Sequence, residues 1–361
     1  MKRVVIGLSG GVDSSVAAAV LKEQGYEVIG ITMHLWDGEG SHLSSAAEDA
    51  KRVADFLGIP HYVLDFREEF SHYVVDYFSQ EYVNGRTPNP CIACNRHLKF
   101  DAMLQAAKDL GADKIATGHY AKISEDSETG RYLLHRGAAA EKDQTYVLYN
   151  LTQEQLAHVL MPLGGFSDKT AVRAKAEELG IPTANKPDSM EICFIPDKDY
   201  AAFLAKRLGT LPPKGLFVDK SGNVLGEHQG IVNYTVGQRK GLGIAFGKPM
   251  FVLGIEPEQN QVILGEKGEE FAKKLYADAL NFIPFEHLTE PIRADIKVRY
   301  SAKPAKGTVI PWGDGVKVEF DTPQRAITPG QAVAFYQPDG DLVLGGATIQ
   351  RSDYEFSGIK K

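Results

Sequence analysis

The stretch Ser9-Gly10-Gly11-Val12-Asp13-Ser14-Ser15 constrains this chain more than any other. The apolar run Val4-Val5-Ile6-Gly7-Leu8 leads into it, and Val16-Ala17-Ala18-Ala19-Val20-Leu21 follows with the composition of a helix. A strand, a glycine turn and a helix start make a ready anion site. Glycine lets the backbone approach an oxyanion, while unpaired N–H groups and the helix dipole favour negative charge. Ser9, Ser14 and Ser15 add hydroxyl donors. The kinase-type phosphate loop needs G-x-x-x-x-G-K-[ST] and the dinucleotide fingerprint needs G-x-G-x-x-G. Neither spacing is present here.

Downstream, Ala50, Val53, Ala54 and Leu57 fall on one helical face, ended by Gly58-Ile59-Pro60 before the apolar run His61-Tyr62-Val63-Leu64. Phe100, Met103, Leu104 and Ala107 repeat the helical spacing up to Gly111, and Lys114-Ile115-Ala116-Thr117 reads as a strand closing at Gly118-His119. Strands alternating with helices predict an α/β fold, a parallel sheet covered on both faces that binds ligands beyond the carboxyl ends of its strands. The loop, Met33 after a strand over 28–32, and Gly118-His119 all lie at that end. A helix over 167–179 then leads into the segment 186–194.

From about Leu208 the texture changes: Gly and Pro become dense and apolar runs short. Runs at 251–255 and 261–265, with a turn at Glu258-Gln259-Asn260, predict a small β domain, and those at 294–300, 315–320 and 332–336 predict a barrel or sandwich. The expected units are 1–207, an α/β nucleotide-binding domain; 208–275, a small β-rich central domain; and 276–361, a C-terminal β-barrel. The Gly- and Ser-containing stretch 37–45 reads as mobile.

A net charge of −7 speaks against indiscriminate nucleic-acid binding, which is driven by neutralising phosphates, but leaves room for a local basic groove. Arg293, Lys297, Arg299, Lys303 and Lys306 form a basic run broken by Asp295. On a strand over 293–300, Arg293, Lys297 and Arg299 would share one face that could track a phosphate backbone, although such a run taken alone is more often a solvated face. No apolar run approaches the ~20 residues of a membrane helix. Met1-Lys2-Arg3 leads straight into the first strand, so no signal or transit peptide is expected and the chain reads as cytoplasmic.

Three cysteines fit no secreted disulfide framework. Cys91 and Cys94 lie in Thr87-Pro88-Asn89-Pro90-Cys91-Ile92-Ala93-Cys94-Asn95, with a helix carrying Phe100 expected just after Cys94; Cys193 lies far downstream. A thiol at a helix start, with Arg96 and His97 near, is expected to have a lowered pKa. One C-x-x-C pair plus a distant cysteine falls short of a zinc knuckle, so no metal ligands are assigned.

Taken together, SGGVDSS at 9–15, TPNPCIACN at 87–95, ATGHYA at 116–121, EKDQTYVLY at 141–149, ICFIPD at 192–197, YTVGQRKGLGI at 234–244, VRY at 298–300 and PGQAV at 329–333 resemble the tRNA-specific 2-thiouridylase family. The likeness runs through nearly the whole chain. It implies an adenine nucleotide alpha hydrolase-like PP-loop fold with ATP as cofactor and Mg²⁺ neutralising pyrophosphate. The implied reaction adenylates C2 of the wobble uridine of tRNA and replaces its oxygen with sulfur. Gly7, Leu8, Ser9, Gly10, Gly11, Val12, Asp13, Ser14, Met33 and Gly118 match nucleotide-binding positions, although a Met at a strand end also suits plain packing. Cys193 would carry the sulfur as a persulfide, supplied by a cysteine desulfurase or a sulfur-carrier protein. Cys94 would be the second catalytic thiol, pairing with Cys193 as sulfur leaves. Asn89, Pro90 and Cys91 match the target-base loop, and His119, Lys142, Asp143, Gln144, Arg299, Tyr300 and Gln331 match tRNA-contacting positions.

Some family members carry Asp where this chain has Cys91, so the persulfide route does not need that thiol. Three thiolates can also hold a four-iron–four-sulfur cluster with one open iron, although full ligation uses four. Both routes stay open, with the persulfide preferred. Two other readings compete: an ATP pyrophosphatase that adenylates a small molecule, and a tRNA-binding module with a vestigial nucleotide site. The paired cysteines and added β domains disfavour the first, and the intact loop disfavours the second.

Overall fold

The computed structural model describes residues 2–37, 43–187, 192–195, 197 and 199–354. Most of the stretch expected to be mobile, and residues 188–191 of the segment before Cys193, lie outside the described residues.

Strand β1 (Arg3–Gly7) is the middle of a five-stranded, all-parallel sheet. β2 (Glu27–His34) and then β3 (His61–Asp65) flank it on one side, and β4 (Lys114–Ala116) and Val159–Leu160 on the other. Successive residues of a strand face opposite sides, and the core divides accordingly. Val4 and Ile6, with Leu8 just beyond the strand, pack with Val16 and Ala17 of α1 (Val12–Glu23) and Val53 and Ala54 of α2 (Leu43–Leu57). Val5, Ile29, Ile31 and Ile115 pack on the other face with Phe100, Met103, Leu104 and Ala107. Both faces of β1 are dry, as expected for a parallel sheet buried between helices.

A central four-stranded sheet has the order Met250–Glu256, Gln261–Glu266, Gly215–Val218, Val224–His228. Six further strands close into a barrel, the longest being Phe271–Phe282 and Gly315–Arg325. The units share cores. Ala332, Ala334 and Tyr336 of the barrel pack with Tyr146, Leu148 and Leu151 under the α/β sheet, while Phe217 and Val252 of the central sheet pack with Phe70, Phe78 and Cys94.

The expected basic strand face does not form. The strand Ile292–Lys297 ends before Arg299, with Arg293 exposed and Lys297 buried on it. Arg293 is held by Asp321 through two hydrogen bonds of 2.9 and 2.6 Å, and Lys306 by Asp339 at 2.8 Å. Those cations are neutralised within the barrel. Among the described residues no helix is long and apolar enough to cross a membrane.

Candidate active site

Gly7 ends β1, and the loop after it turns at Gly10, whose φ of +69° lies in the left-handed region that favours glycine. A Cβ there would stand 2.7 Å from the Ala46 carbonyl oxygen, so α2 also demands glycine. Gly11 caps α1 in an extended conformation and has no side chain to satisfy the helix's first N–H groups. Those donors and the positive end of the dipole are left for a ligand. The serines brace the loop: Ser9 N–H donates to Ser14 Oγ at 3.2 Å, and Ser15 Oγ donates to Gly11 O at 2.8 Å.

Asp13 is held by two residues that sequence reasoning did not single out. Lys169 Nζ stands 2.7 Å from both its oxygens, and Tyr120 Oη donates to it at 2.6 Å. A second cation, Lys186, pairs at 2.5 Å with Asp49, the residue whose Cβ lies under Gly10. Nothing local announces these contacts, which span more than a hundred residues. Val12 is buried at the start of α1, and Leu8 packs beneath the sheet. Met33 is half-buried near the end of β2, packed against both the core under the sheet and the core that holds Cys94. Gly118 lies against the loop, and a Cβ on it would come within 2.9 Å of the Ser14 nitrogen.

Next to Gly118, His119 is buried and takes a 2.7 Å hydrogen bond between its Nδ1 and Thr117 Oγ1. Burial, then the charge of Lys99, holds its pKa well below the usual histidine range, so it is neutral at physiological pH.

The cysteine helix begins earlier than the sequence suggested. Asn89 is its N-cap, its Oδ1 accepting from the Cys91 N–H at 3.1 Å, and Pro90 is its first residue. Cys91 is exposed, whereas Cys94 is already inside the helix and buried among Phe70, Phe78, Leu98 and Phe194. The expectation of a lowered thiol pKa fails for that reason. Burial pushes Cys94 up, with Lys99 pulling weakly the other way. Cys193 retains solvent-exposed surface, yet burial is also the first cause raising its thiol, to about 12, followed by Cys94 and Cys91. All three thiols are free.

Lys99 is the cation opposing that rise at both Cys94 and Cys193. It lies in a π-helical turn, Asn95–Ala102. An α-helix would put the fifth residue after Cys94 about 140° around the axis, whereas the wider π turn brings it back towards the same side. Regular helical periodicity therefore conceals it. Alkylation of Cys193 by iodoacetamide should rise about tenfold per pH unit from pH 7 to 10 without levelling, because a thiol near 12 is still gaining thiolate there. Lys99→Met removes the cation favouring thiolate, and peptide mass spectrometry should find slower labelling of Cys193 at every pH. Unchanged labelling would remove Lys99 from this account.

The barrel grips the segment that carries the target-base motif. Gln331 Nε2 donates to Thr87 O at 2.8 Å and to Pro88 O at 3.2 Å, and Thr87 N–H donates to Pro329 O at 2.9 Å. Gln144 Oε1 likewise accepts from the Tyr120 N–H at 3.0 Å, and Asp143 Oδ1 accepts from the Thr145 N–H and hydroxyl at 3.0 and 2.6 Å. These three side chains support loops in this structure. Lys142 ends a short 3-10 turn beside them, and Arg299 donates to Arg325 O at 3.0 Å. Tyr300 is half-exposed, its hydroxyl pKa raised by burial and then by Asp143, with Cys91 among the lesser causes. A cavity of about 350 Å³ opens beside Asn89, lined by Tyr73, Arg96, His97, Asn150 and barrel residues such as Ala279. The phosphate loop does not line it.

Gln331→Ala should lower the rate of tRNA modification about thirtyfold, as two loop hydrogen bonds of ~1 kcal/mol each go, while ATP affinity stays at the wild-type value. Steady-state kinetics with tRNA varied, alongside ATP titration, separates the two. A loss of ATP affinity of the same size would contradict this role.

Three family models match in order: a tRNA methyl transferase HUP domain over residues 2–197, a tRNA methyl transferase PRC-barrel domain over 201–266, and an aminomethyltransferase beta-barrel domain over 272–349. A protein of Acetivibrio thermocellus named tRNA-specific 2-thiouridylase MnmA is 56% identical over 359 residues, covering 97% of this chain and 99% of that protein. The chain belongs to the tRNA-specific 2-thiouridylase family. A second 2-thiouridylase, from Clostridioides difficile, is 55% identical with the same coverage. The family models speak of methyl transfer and the relatives of thiolation; the end-to-end identity to the relatives decides the family. Among solved structures, the U34-tRNA thiolase NcsA from Methanococcus maripaludis with its [4Fe-4S] cluster aligns at TM-score 0.35 and 19% identity, covering 57% of this chain and 66% of that one. That likeness is too loose to bear on the site.

Membership of the 2-thiouridylase family implies ATP binding, and the loop at the end of β1 has the form that task needs. Among the described residues, no three His, Cys, Asp or Glu side chains are grouped to hold a metal ion.

Proposed function

We propose that this chain is an ATP-dependent tRNA 2-thiouridylase acting on the wobble uridine, with Cys193 as sulfur carrier and Cys94 as resolving thiol. One run of contacts supports the reading best. Gly118 packs on the phosphate loop at Ser14, His119 follows it, and the charge of Lys99 is felt by His119, Cys94 and Cys193 alike. This favours a nucleotide site and a sulfur site close to one another.

The chemistry needs that adjacency. The uridine O2 attacks the α-phosphorus of ATP and pyrophosphate leaves, received by the open N–H groups of α1. A carbonyl oxygen leaves poorly, whereas AMP leaves well. The terminal sulfur of a Cys193 persulfide then attacks C2 and expels AMP with the oxygen. Cys94 thiolate attacks the Cys193 sulfur, forming a Cys94–Cys193 disulfide and freeing the 2-thiouridine. An external thiol reductant resets the pair. The base must leave its stack to reach this site, and the Asn89-Pro90-Cys91 turn, Tyr300 and the cavity beside Asn89 border its approach.

Asp13, the loop's one carboxylate, is the residue that would face Mg²⁺, and Lys169 and Tyr120 hold it in place. The ion would supply charge neutralisation of the departing pyrophosphate. Lys169 and Lys186 are each paired with a carboxylate, Asp13 and Asp49. Sulfur comes from a cysteine desulfurase directly or through a carrier protein, and the reaction takes place in the cytoplasm.

The test is pyrophosphate release from ATP with and without tRNA, together with 2-thiouridine measured by nucleoside mass spectrometry. Release that tRNA stimulates, with thiolation when a desulfurase is supplied, is the expected result. Release indifferent to tRNA would favour adenylation of a small molecule instead.

A further inference from the structure

Lys297, the last residue of the strand Ile292–Lys297, is only 9% exposed, and its ammonium makes no hydrogen bond or ion pair among the described residues. Its ammonium stands 5.6 Å from the ring centre of Tyr300 and 5.8 Å from that of Tyr146. A second cation belongs to the same neighbourhood. The Arg136 guanidinium lies 3.9 Å over the ring of Tyr336, and its Nε and Nη2 are buried without a hydrogen-bond partner among the described residues. Among the described residues the carboxylate that pairs with it is Asp143, 3.7 Å from Arg136 Nε and so beyond hydrogen-bonding distance, with Oδ1 committed to Thr145. Two cations therefore share one carboxylate where water is largely excluded.

An uncompensated buried charge costs several kcal/mol, and a hydrophobic residue of the same volume would be more stable. An arriving anion would compensate it. A phosphate suits these donors: a guanidinium presents parallel N–H groups to its oxygens and an ammonium adds a point charge. The half-exposed Tyr300, with Tyr146 at 6.2 Å in an edge-to-face contact, adds a ring on which a base can stack. Tyr146 Oη donates to Ala332 O at 2.8 Å, and Ala332 lines the cavity beside Asn89, which sets the cluster near the target-base loop.

We propose that Arg136 and Lys297 form a phosphate subsite for the RNA backbone next to the target base, with Tyr300 as its stacking wall. This rests on the tRNA reading above. The free pyrophosphate product offers the same chemistry, and the experiment separates the two sources.

Affinity for unmodified tRNA is measured by fluorescence anisotropy from 50 to 200 mM salt for the wild type, Lys297→Met, Lys297→Arg and Lys306→Met, with thermal melts of each free protein. Lys297→Met should bind about tenfold more weakly, with a log–log salt slope shallower by ~0.7, the loss of one single-strand phosphate contact. Its melting temperature should equal or exceed the wild type's, because the free protein has lost an unpaired buried charge. Lys297→Arg should keep the slope. Lys306→Met, the same charge change at an exposed ion pair, should keep both slope and affinity.

An unchanged slope for Lys297→Met, or a lower melting temperature, would overturn the subsite. So would stabilisation of the wild type but not Lys297→Met by pyrophosphate alone, with tRNA binding unaffected, since that assigns the cations to the product. Wild-type protein with no salt-dependent tRNA binding would instead sink the tRNA reading itself.

Discussion

Cys193→Ser should still release pyrophosphate when given tRNA and ATP, yet incorporate no sulfur, with thiolation down by at least about a thousandfold. Serine keeps the size of the side chain but cannot hold a sulfane sulfur, so only the second half-reaction is lost. Cys94→Ser separates the steps further. Its Cys193 persulfide can attack the activated base, but no second thiol resolves the bond, so tRNA should remain attached to the protein until a reductant is added. Gel electrophoresis of labelled tRNA with and without reductant reads this directly. A Cys94→Ser protein that thiolates at the wild-type rate, or a Cys193→Ser protein that thiolates at all readily, would remove the persulfide route. Survival of Cys193→Ser alongside loss in Cys91→Ser would redirect attention to the exposed thiol at the helix start.

Gly118→Ala should weaken ATP binding by about 10–100-fold while leaving the protein folded. Its added Cβ would press within 2.9 Å of the Ser14 nitrogen and 3.1 Å of Asp13 Cβ, moving the first turn of α1 off the phosphates. Each charge-assisted hydrogen bond lost is worth ~1.5–3 kcal/mol, and tenfold in affinity corresponds to about 1.4 kcal/mol. Gly10→Ala gives the contrasting case. A left-handed φ costs a residue with a Cβ roughly 1–2 kcal/mol, and the contact with Ala46 adds to it, so stability should fall together with ATP affinity. Calorimetric titration with a non-hydrolysable ATP analogue, beside thermal melts, distinguishes a displaced loop from an unfolded one. Wild-type ATP affinity in Gly118→Ala would mean that the phosphates do not depend on this turn.

What could be read from the residues and what could not divides along contact distance. The strand–loop–helix around Ser9 was legible because its glycines, serines and apolar flanks are contiguous. The parallel sheet followed from helical spacings such as Ala50-Val53-Ala54-Leu57, and strands over 332–336 and 261–265 from short apolar runs. Lys169 and Tyr120 around Asp13 were invisible, since their side chains arrive from separate elements. The thiol pKa was misjudged in sign because local charges suggest thiolate while tertiary burial around Cys94 outweighs them. The basic run failed for a related reason. Asp321 and Asp339 neutralise Arg293 and Lys306 across the barrel, and the strand ends before Arg299. Asn89-Pro90 did carry a local signal, an N-cap followed by proline at the first helical position. Read that way, it would have put both cysteines inside the helix.

The grip of Gln331 and Pro329 on Thr87 and Pro88 makes the barrel an anchor as well as a scaffold. Thr87 and Pro88 stand immediately ahead of the Asn89 cap, so the start of the cysteine helix is anchored by contacts from more than two hundred residues away in the chain. A barrel that loosens takes that anchor with it.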